Sequence, residues 1–183
     1  PIFLIYFNII PSNFRLVVFA TISIFLLGII HRSKWSYKDL GIIKKWHKDF
    51  LPYMVFTLAG ILFLYWIANL VPHSPFLEWW DNRRFLILFI PISVLQEVIF
   101  RGILLRMLIS VFKNIPFVIL ANSLVFSMMH MIYVNHTLVL PLTFMGGIAF
   151  AWMYIKYPNL ILISISHTIF NFVAMILGFF VFR

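Results

Sequence analysis

Apolar residues run along this chain in long blocks, and the polar residues are confined to the gaps between them. Blocks fall at about Phe14 to Ile30, Phe50 to Val71, Phe85 to Phe112, Ile115 to Val134, Leu138 to Ile155 and Leu160 to Phe182. Each is close to the roughly 20 residues a helix needs to cross a hydrocarbon core of about 30 Å. The pattern predicts an all-α fold, a polytopic transmembrane bundle of about six helices, built as one domain over residues 1–183. Pro11, Ser12 and Asn13 are a helix start signal ahead of the first block, with Arg15 placed to snorkel. Ile2 to Ile10 is apolar but too short to cross, so it reads as the tail of a truncated helix or an interfacial stretch. The first residue is Pro1 instead of Met, which leaves open a missing start or earlier segment, and no cleavable signal peptide is recognisable.

Composition agrees with this pattern. Of 183 residues, 63% are hydrophobic and only 10% charged, with a mean hydropathy of +1.04, more apolar surface than one soluble core can hide. The net charge of +9 does not point to nucleic acid, because the Lys and Arg residues sit in the connections and form no single stripe. They read as topology signals and contacts for anionic membrane lipids. The basic connection at residues 31–49, with Trp35, Tyr37 and Trp46 interleaved, resembles a short amphipathic element at headgroup level. Arg32, Lys34, Lys38, Lys44, Lys45, Lys48, Arg106, Lys113 and Lys156 fall on one side of the predicted topology, and Arg83, Arg84 and Arg183 on the other. The first side is expected to be cytoplasmic. With no cysteine, disulfides, thiolate metal sites and cysteine nucleophiles are excluded.

Against this background a few polar residues stand at membrane depth. A charge at the bilayer centre costs about 2.5 to 3.5 kcal/mol even on the lenient insertion scale, so such residues are expected to face a protein interior or a wet cavity. Three clusters qualify, each on a different helix: Gln96, Glu97 and Arg101; Phe126 and His130; His167 and Asn171. Residues four apart share a helix face, so Glu97 can pair with Arg101, and His167 and Asn171 can address one pocket. Taken singly, Glu97 and Arg101 are a mutually neutralising pair and each histidine a hydrogen-bonded structural residue. Taken together, Glu97, His130 and His167 offer either a ligand set for a metal such as zinc, with one position left for water, or a carboxylate and imidazoles that activate water directly.

The three clusters, in this order on successive late helices, resemble the signature of the CPBP intramembrane protease family, which includes CAAX prenyl proteases and bacteriocin-processing or self-immunity proteins. That family shows E-E-x-x-x-R, then F-x-x-x-H, then H-x-x-x-N. Phe100 to Gly102, the pair Gly146 and Gly147, and the run PNLILISISHTIFN at 158–171 fit the same pattern, and Trp35 to Ile42 is similar to the family's approach to an early helix. The resemblance covers residues 85–182. It implies a helical bundle around a hydrated cavity in which a peptide bond near the cytoplasmic membrane surface is hydrolysed. His130 would take the base role, His167 and Asn171 the oxyanion side, and Arg101 would fix the acidic helix. The expected substrate is a peptide or membrane-protein segment, and the expected location a bacterial cell membrane with the site facing the cytoplasm.

Gln96 departs from the family pattern, standing where the first glutamate belongs. An amide has no useful proton affinity near neutral pH, and Glu97 points about 100° away on a helix. Three readings stay open: a non-cutting relative acting as a membrane scaffold or partner-binding protein, a trapped form with Gln for Glu, or a peptidase that manages with Glu97 and the imidazoles, with or without a metal. A transporter is disfavoured by the absence of paired halves or a second broken segment.

Depth gives an internal check. At 1.5 Å per residue, His167 and Glu97 come out about 12 Å deep and His130 about 10 Å further from the same edge, so the helix of His130 is expected to enter late, near Leu120, or to tilt strongly. Met128, Met129 and Met131 are assigned to packing, and Gly146, Gly147, Ala149 and Ala151 to close helix contact. His73, His136, Glu78, Asp81, Asp39 and Asp49 are assigned to polar surface.

Overall fold

A computed structural model describes residues 7, 9, 11, 14–43 and 47–180. The expectations for Ile2 to Ile10, apart from Phe7 and Ile9, and those for Ser12, Asn13, the Arg15 side chain, residues 44–46 and residues 181–183 lie outside the described residues. Within them the chain is all-α, with six helices. These are α1 (Arg15–Arg32), α2 (His47–Ala68), α3 (Arg83–Glu97, continued by Val98–Leu105 and Arg106–Val111), α4 (Ile115–Met128, with a 3₁₀ turn at Met129–Ile132), α5 (His136–Lys156) and α6 (Leu160–Ile176). Helices α2, α3, α4 and α5 contain windows long and apolar enough to cross a membrane, and the apolar parts of α1 and α6 are shorter. The protein is a polytopic integral membrane bundle. Helix α4 packs along α5, while α6 packs against both α2 and α3.

Several predicted boundaries move for identifiable reasons. The last block does not run to Phe182 as a helix: α6 stops at Ile176. Gly178 takes a left-handed φ of 75°, its N–H bonds the Met175 carbonyl and the Phe179 N–H bonds the Ala174 carbonyl, each at 2.9 Å. This doubly bonded C-terminal cap needs a residue that tolerates positive φ. It folds Phe179 and Phe180 back into the core, where both are buried. The loop after α2 joins the same end through Phe76 N–H to the Ile176 carbonyl, 2.9 Å. Helix α4 starts where predicted, with the Asn114 side chain accepting from Phe117 N–H at 3.1 Å and Pro116 in its first turn, a favoured N-terminal pairing.

The basic connection is not an amphipathic helix over residues 33–43. It turns and is clipped to the end of the bundle. Asp39 accepts from the Ser36 hydroxyl at 2.7 Å and the Ser36 N–H at 2.8 Å, and Arg106 of α3 donates to both the Asp39 carbonyl, 2.6 Å, and its carboxylate, 3.0 Å. The Ser36 hydrogen bonds first, then Arg106, hold the Asp39 carboxyl below the usual carboxylate range. Tyr154 donates its hydroxyl to the Leu40 carbonyl at 2.9 Å, and Leu160 N–H bonds the Gly41 carbonyl at 2.8 Å. So Asp39, assigned to polar surface, stands at the surface as part of a built clamp.

Two apolar cores result. One, at the end bearing the clamp, gathers Leu40, Tyr53, Ile103, Phe150, Tyr154 and Ile163 with their neighbours; the other gathers Leu64, Val139, Val173, Leu177, Phe179 and Phe180. Phe170 packs against both. His167 packs against Phe150 of the first core and His130 against Phe180 of the second.

Candidate active site

Helix α3 supplies the charges. Its middle segment, Val98–Leu105, is a π-helix, a rare wider turn that recurs at functional sites. Glu97 enters this segment, and Arg101 lies within it four residues on. Both are fully buried, and Arg101 Nη1 donates to Glu97 Oε1 at 3.0 Å. The guanidinium sits over the rings of Phe126, 4.5 Å from its centroid, and Phe150, 5.1 Å, which favours the cation electrostatically. Its Nη2 reaches the Gly147 carbonyl of α5 at 3.4 Å.

Helix α6 turns one face towards those charges. His167, buried, donates from Nδ1 to the same Glu97 Oε1 at 2.5 Å. A carboxylate only accepts, so Nδ1 carries hydrogen, and Nε2 is the nitrogen left for chemistry. One turn on, Asn171 Nδ2 donates to Ser93 Oγ at 2.9 Å and lies 3.5 Å from Gln96 Oε1. That second contact is at the limit of a hydrogen bond, the weaker of the two the amide makes. Gln96 and Glu97 therefore diverge as the 100° step requires, Gln96 towards Asn171 and Glu97 towards His167.

Helix α4 brings the second histidine. In its terminal 3₁₀ turn, His130 is buried and Nδ1 donates to the Phe126 carbonyl at 2.8 Å. The acceptor again fixes the tautomer and leaves Nε2 with its lone pair. The His130 ring lies 4.8 Å from the Phe126 ring and the His167 ring 5.5 Å from it, centroid to centroid, so the two imidazoles share one neighbourhood despite their different depths counted along the chain. Tyr133 and Phe180 close over the far side of His130, at 5.9 and 5.8 Å.

Both imidazoles and Asn171 line a cavity of about 320 Å³, walled mainly by apolar side chains such as Phe56, Phe63 and Phe170. Neither Gln96 nor Glu97 is among its lining residues. Met128, Met129 and Met131 do not line it either, whereas Met145, Gly146 and Ala149 do. Gly147 instead makes the close contact: a Cβ there would lie 3.0 Å from Ser123 Cα.

The structure thus joins Glu97 to Arg101 and His167, and places His130, His167 and Asn171 on one cavity. It does not assemble the zinc set of Glu97, His130 and His167. Among the described residues no three His or acidic side chains are placed to hold a metal ion. Glu97 Oε1 accepts from the guanidinium and from His167 Nδ1, its Oε2 has no partner among the described residues, and His130 does not join Glu97 and His167 in a metal-binding group. The residues present do not fit zinc, and the two-histidine cavity stands as the chemistry-bearing part. Ser93, Asn122 and Phe180 were not singled out by the sequence. Ser93 had a signal, since it stands four residues before Glu97 on the same face; Phe180 had none, being brought in only by the turn at Gly178.

No curated protein and no solved structure is significantly similar to the chain. A family model does match: type II CAAX prenyl endopeptidase Rce1-like, over residues 78–173. The matched stretch runs from the loop before α3 through Asn171 and includes Ser93, Gln96, Glu97, Arg101, His130, His167 and Asn171. By this match the chain belongs to the Rce1-like family of type II CAAX prenyl endopeptidases.

Proposed function

We propose that this protein hydrolyses a peptide bond of a membrane-associated CAAX-type peptide or protein segment, by water activated within the bundle near its cytoplasmic face. The observation that carries the reading is the pair of imidazoles on one cavity, each with Nδ1 committed and Nε2 free. His130 Nε2 takes a proton from water as the oxygen attacks the scissile carbonyl carbon. The oxyanion side is formed by His167, oriented through its Nδ1–H on Glu97, and by the Asn171 amide one turn on. The tetrahedral species then collapses, and His130 returns its proton to the leaving amine. Glu97 serves as the buried support of His167, not as the base. The side of the membrane follows from the Lys and Arg asymmetry.

A second reading, a non-cutting family member that binds a partner, is favoured by one observation. Gln96 holds an amide beside Asn171, where a carboxylate would be a base. Cleavage of a fluorogenic prenylated CAAX peptide in lipid nanodiscs separates the two. Cleavage by the parent or by Gln96→Glu that is lost when His130→Ala is added supports the peptidase. No cleavage in the parent or in Gln96→Glu leaves the scaffold.

A further inference from the structure

Asn122 is wholly buried on α4, and its Nδ2 donates to the Phe100 carbonyl of α3 at 2.9 Å. Phe100 belongs to the π-helical segment, between Glu97 and Arg101 in sequence. The carbonyl is thus held from outside its own helix, by an amide at the middle of the bundle.

Stability alone does not account for an amide here. Asn122 Oδ1 has no hydrogen-bond partner among the described residues, nor do Arg101 Nε and Glu97 Oε2 nearby in the same network. A buried acceptor left unpaired is destabilising, and an apolar side chain of similar volume would fill the space without one. What the amide supplies that leucine does not is register. Asn122, Phe126 and His130 follow at intervals of four along one face of α4. The Phe126 ring lies 5.1 Å from Phe100, 4.5 Å from the Arg101 guanidinium, and against both imidazoles. Helix α4 is tied to α5 as well, by Ser127 Oγ to the Leu140 carbonyl at 2.7 Å. The Asn122 bond is the matching tie to α3. Sliding α4 by one residue would move His130 by about 1.5 Å along the axis and swing it through about 100°.

We infer that Asn122 is a positioning residue: through the Phe100 carbonyl it sets the π-helical segment against α4, so that Glu97 meets His167 while His130 faces the same cavity. It touches no reacting atom.

The test reads the Glu97–His167 hydrogen bond directly. Protein carrying ¹⁵N-histidine in nanodiscs should show a strongly downfield Nδ1–H proton that Glu97→Gln abolishes. In Asn122→Leu that signal should be lost while cooperative unfolding is retained. In Ser123→Ala, which removes an equally buried polar group bonded only to the Ile119 carbonyl of its own helix, the signal should persist. If Asn122→Leu does not fold, Asn122→Ser, too short to reach Phe100, takes its place with the same expectation. An unchanged signal in a folded Asn122 variant, or no such signal in the parent, overturns the inference. This arm needs no catalysis, so it stands apart from the peptidase reading. A kinetic arm does rest on that reading: with Gln96→Glu as the parent, adding Asn122→Leu should lower kcat about 10²-fold with little change in KM, the loss expected from an ångström-scale misplacement.

Discussion

Glu97 combines complete burial with two polar neighbours that set its aim. Arg101 pairs with it, His167 Nδ1 donates a hydrogen bond to it, and the rings of Phe126 and Phe150 cover the guanidinium. Removing one partner of such a pair leaves an uncompensated buried charge, at a cost of about 3–5 kcal/mol. Arg101→Leu is therefore expected to lower unfolding free energy by that amount in micelles, and Arg101→Leu with Glu97→Gln to recover much of it. Denaturation of the two variants beside the parent checks this, and equal losses would mean the charges are not coupled. The pairing was legible in the sequence because positions four apart share a face. So was the split between Gln96 and Glu97, since adjacent helical positions diverge. Asn122 was not legible, because an amide amid apolar neighbours carries no mark of the carbonyl it will meet on another helix.

At the level of elements, the site depends on how closely α4 and α5 approach. The approach is made at Gly147, where a Cβ would sit 3.0 Å from both Ser123 Cα and Ser123 Cβ. Backbone has to shift to admit it. Gly147→Ala should destabilise by about 1–3 kcal/mol, as overpacking does. At Gly28 of α1 an added Cβ meets nothing within 4 Å, so Gly28→Ala should stabilise by up to about 1 kcal/mol through helix propensity. Thermal midpoints of the two variants, moving in opposite directions, are the check. The apolar blocks exposed five of these helices to within about three residues at each end, because a span is a matter of length and composition. The π-helix was hidden, since nothing in VIFRGILL distinguishes it from an ordinary turn. The early end of α6 was signalled by Gly178 but masked by the apolar residues around it.

On the scale of the molecule, the bundle is closed at one end by the clamp of Ser36, Asp39 and Arg106. The Asp39 carboxyl is held below its usual range, so its folded form binds a proton less readily than the unfolded chain. The stability it adds is present above the ordinary carboxylate pKa and is lost as pH falls through the lowered one. The midpoint of the parent should fall on acidification more steeply than that of Asp39→Asn, and parallel curves would remove the clamp from the account. The connection was legible as basic and interfacial, but its attachment was not, because it depends on Tyr154 and Leu160 more than a hundred residues away. Topology is open to the same kind of check, since the chain has no cysteine: Lys38→Cys and Lys156→Cys should react with an impermeant thiol reagent from one side of the membrane, and Trp80→Cys from the other.

What most directly tests the whole account is proximity of the two imidazole positions, because base and oxyanion roles both require one chamber. In the cysteine-free chain, His130→Cys combined with His167→Cys should be joined by a short bifunctional thiol reagent within one folded molecule, giving a mobility shift that His130→Cys with Lys38→Cys does not. Modification of both cysteines at 130 and 167 without any intramolecular link would contradict the account.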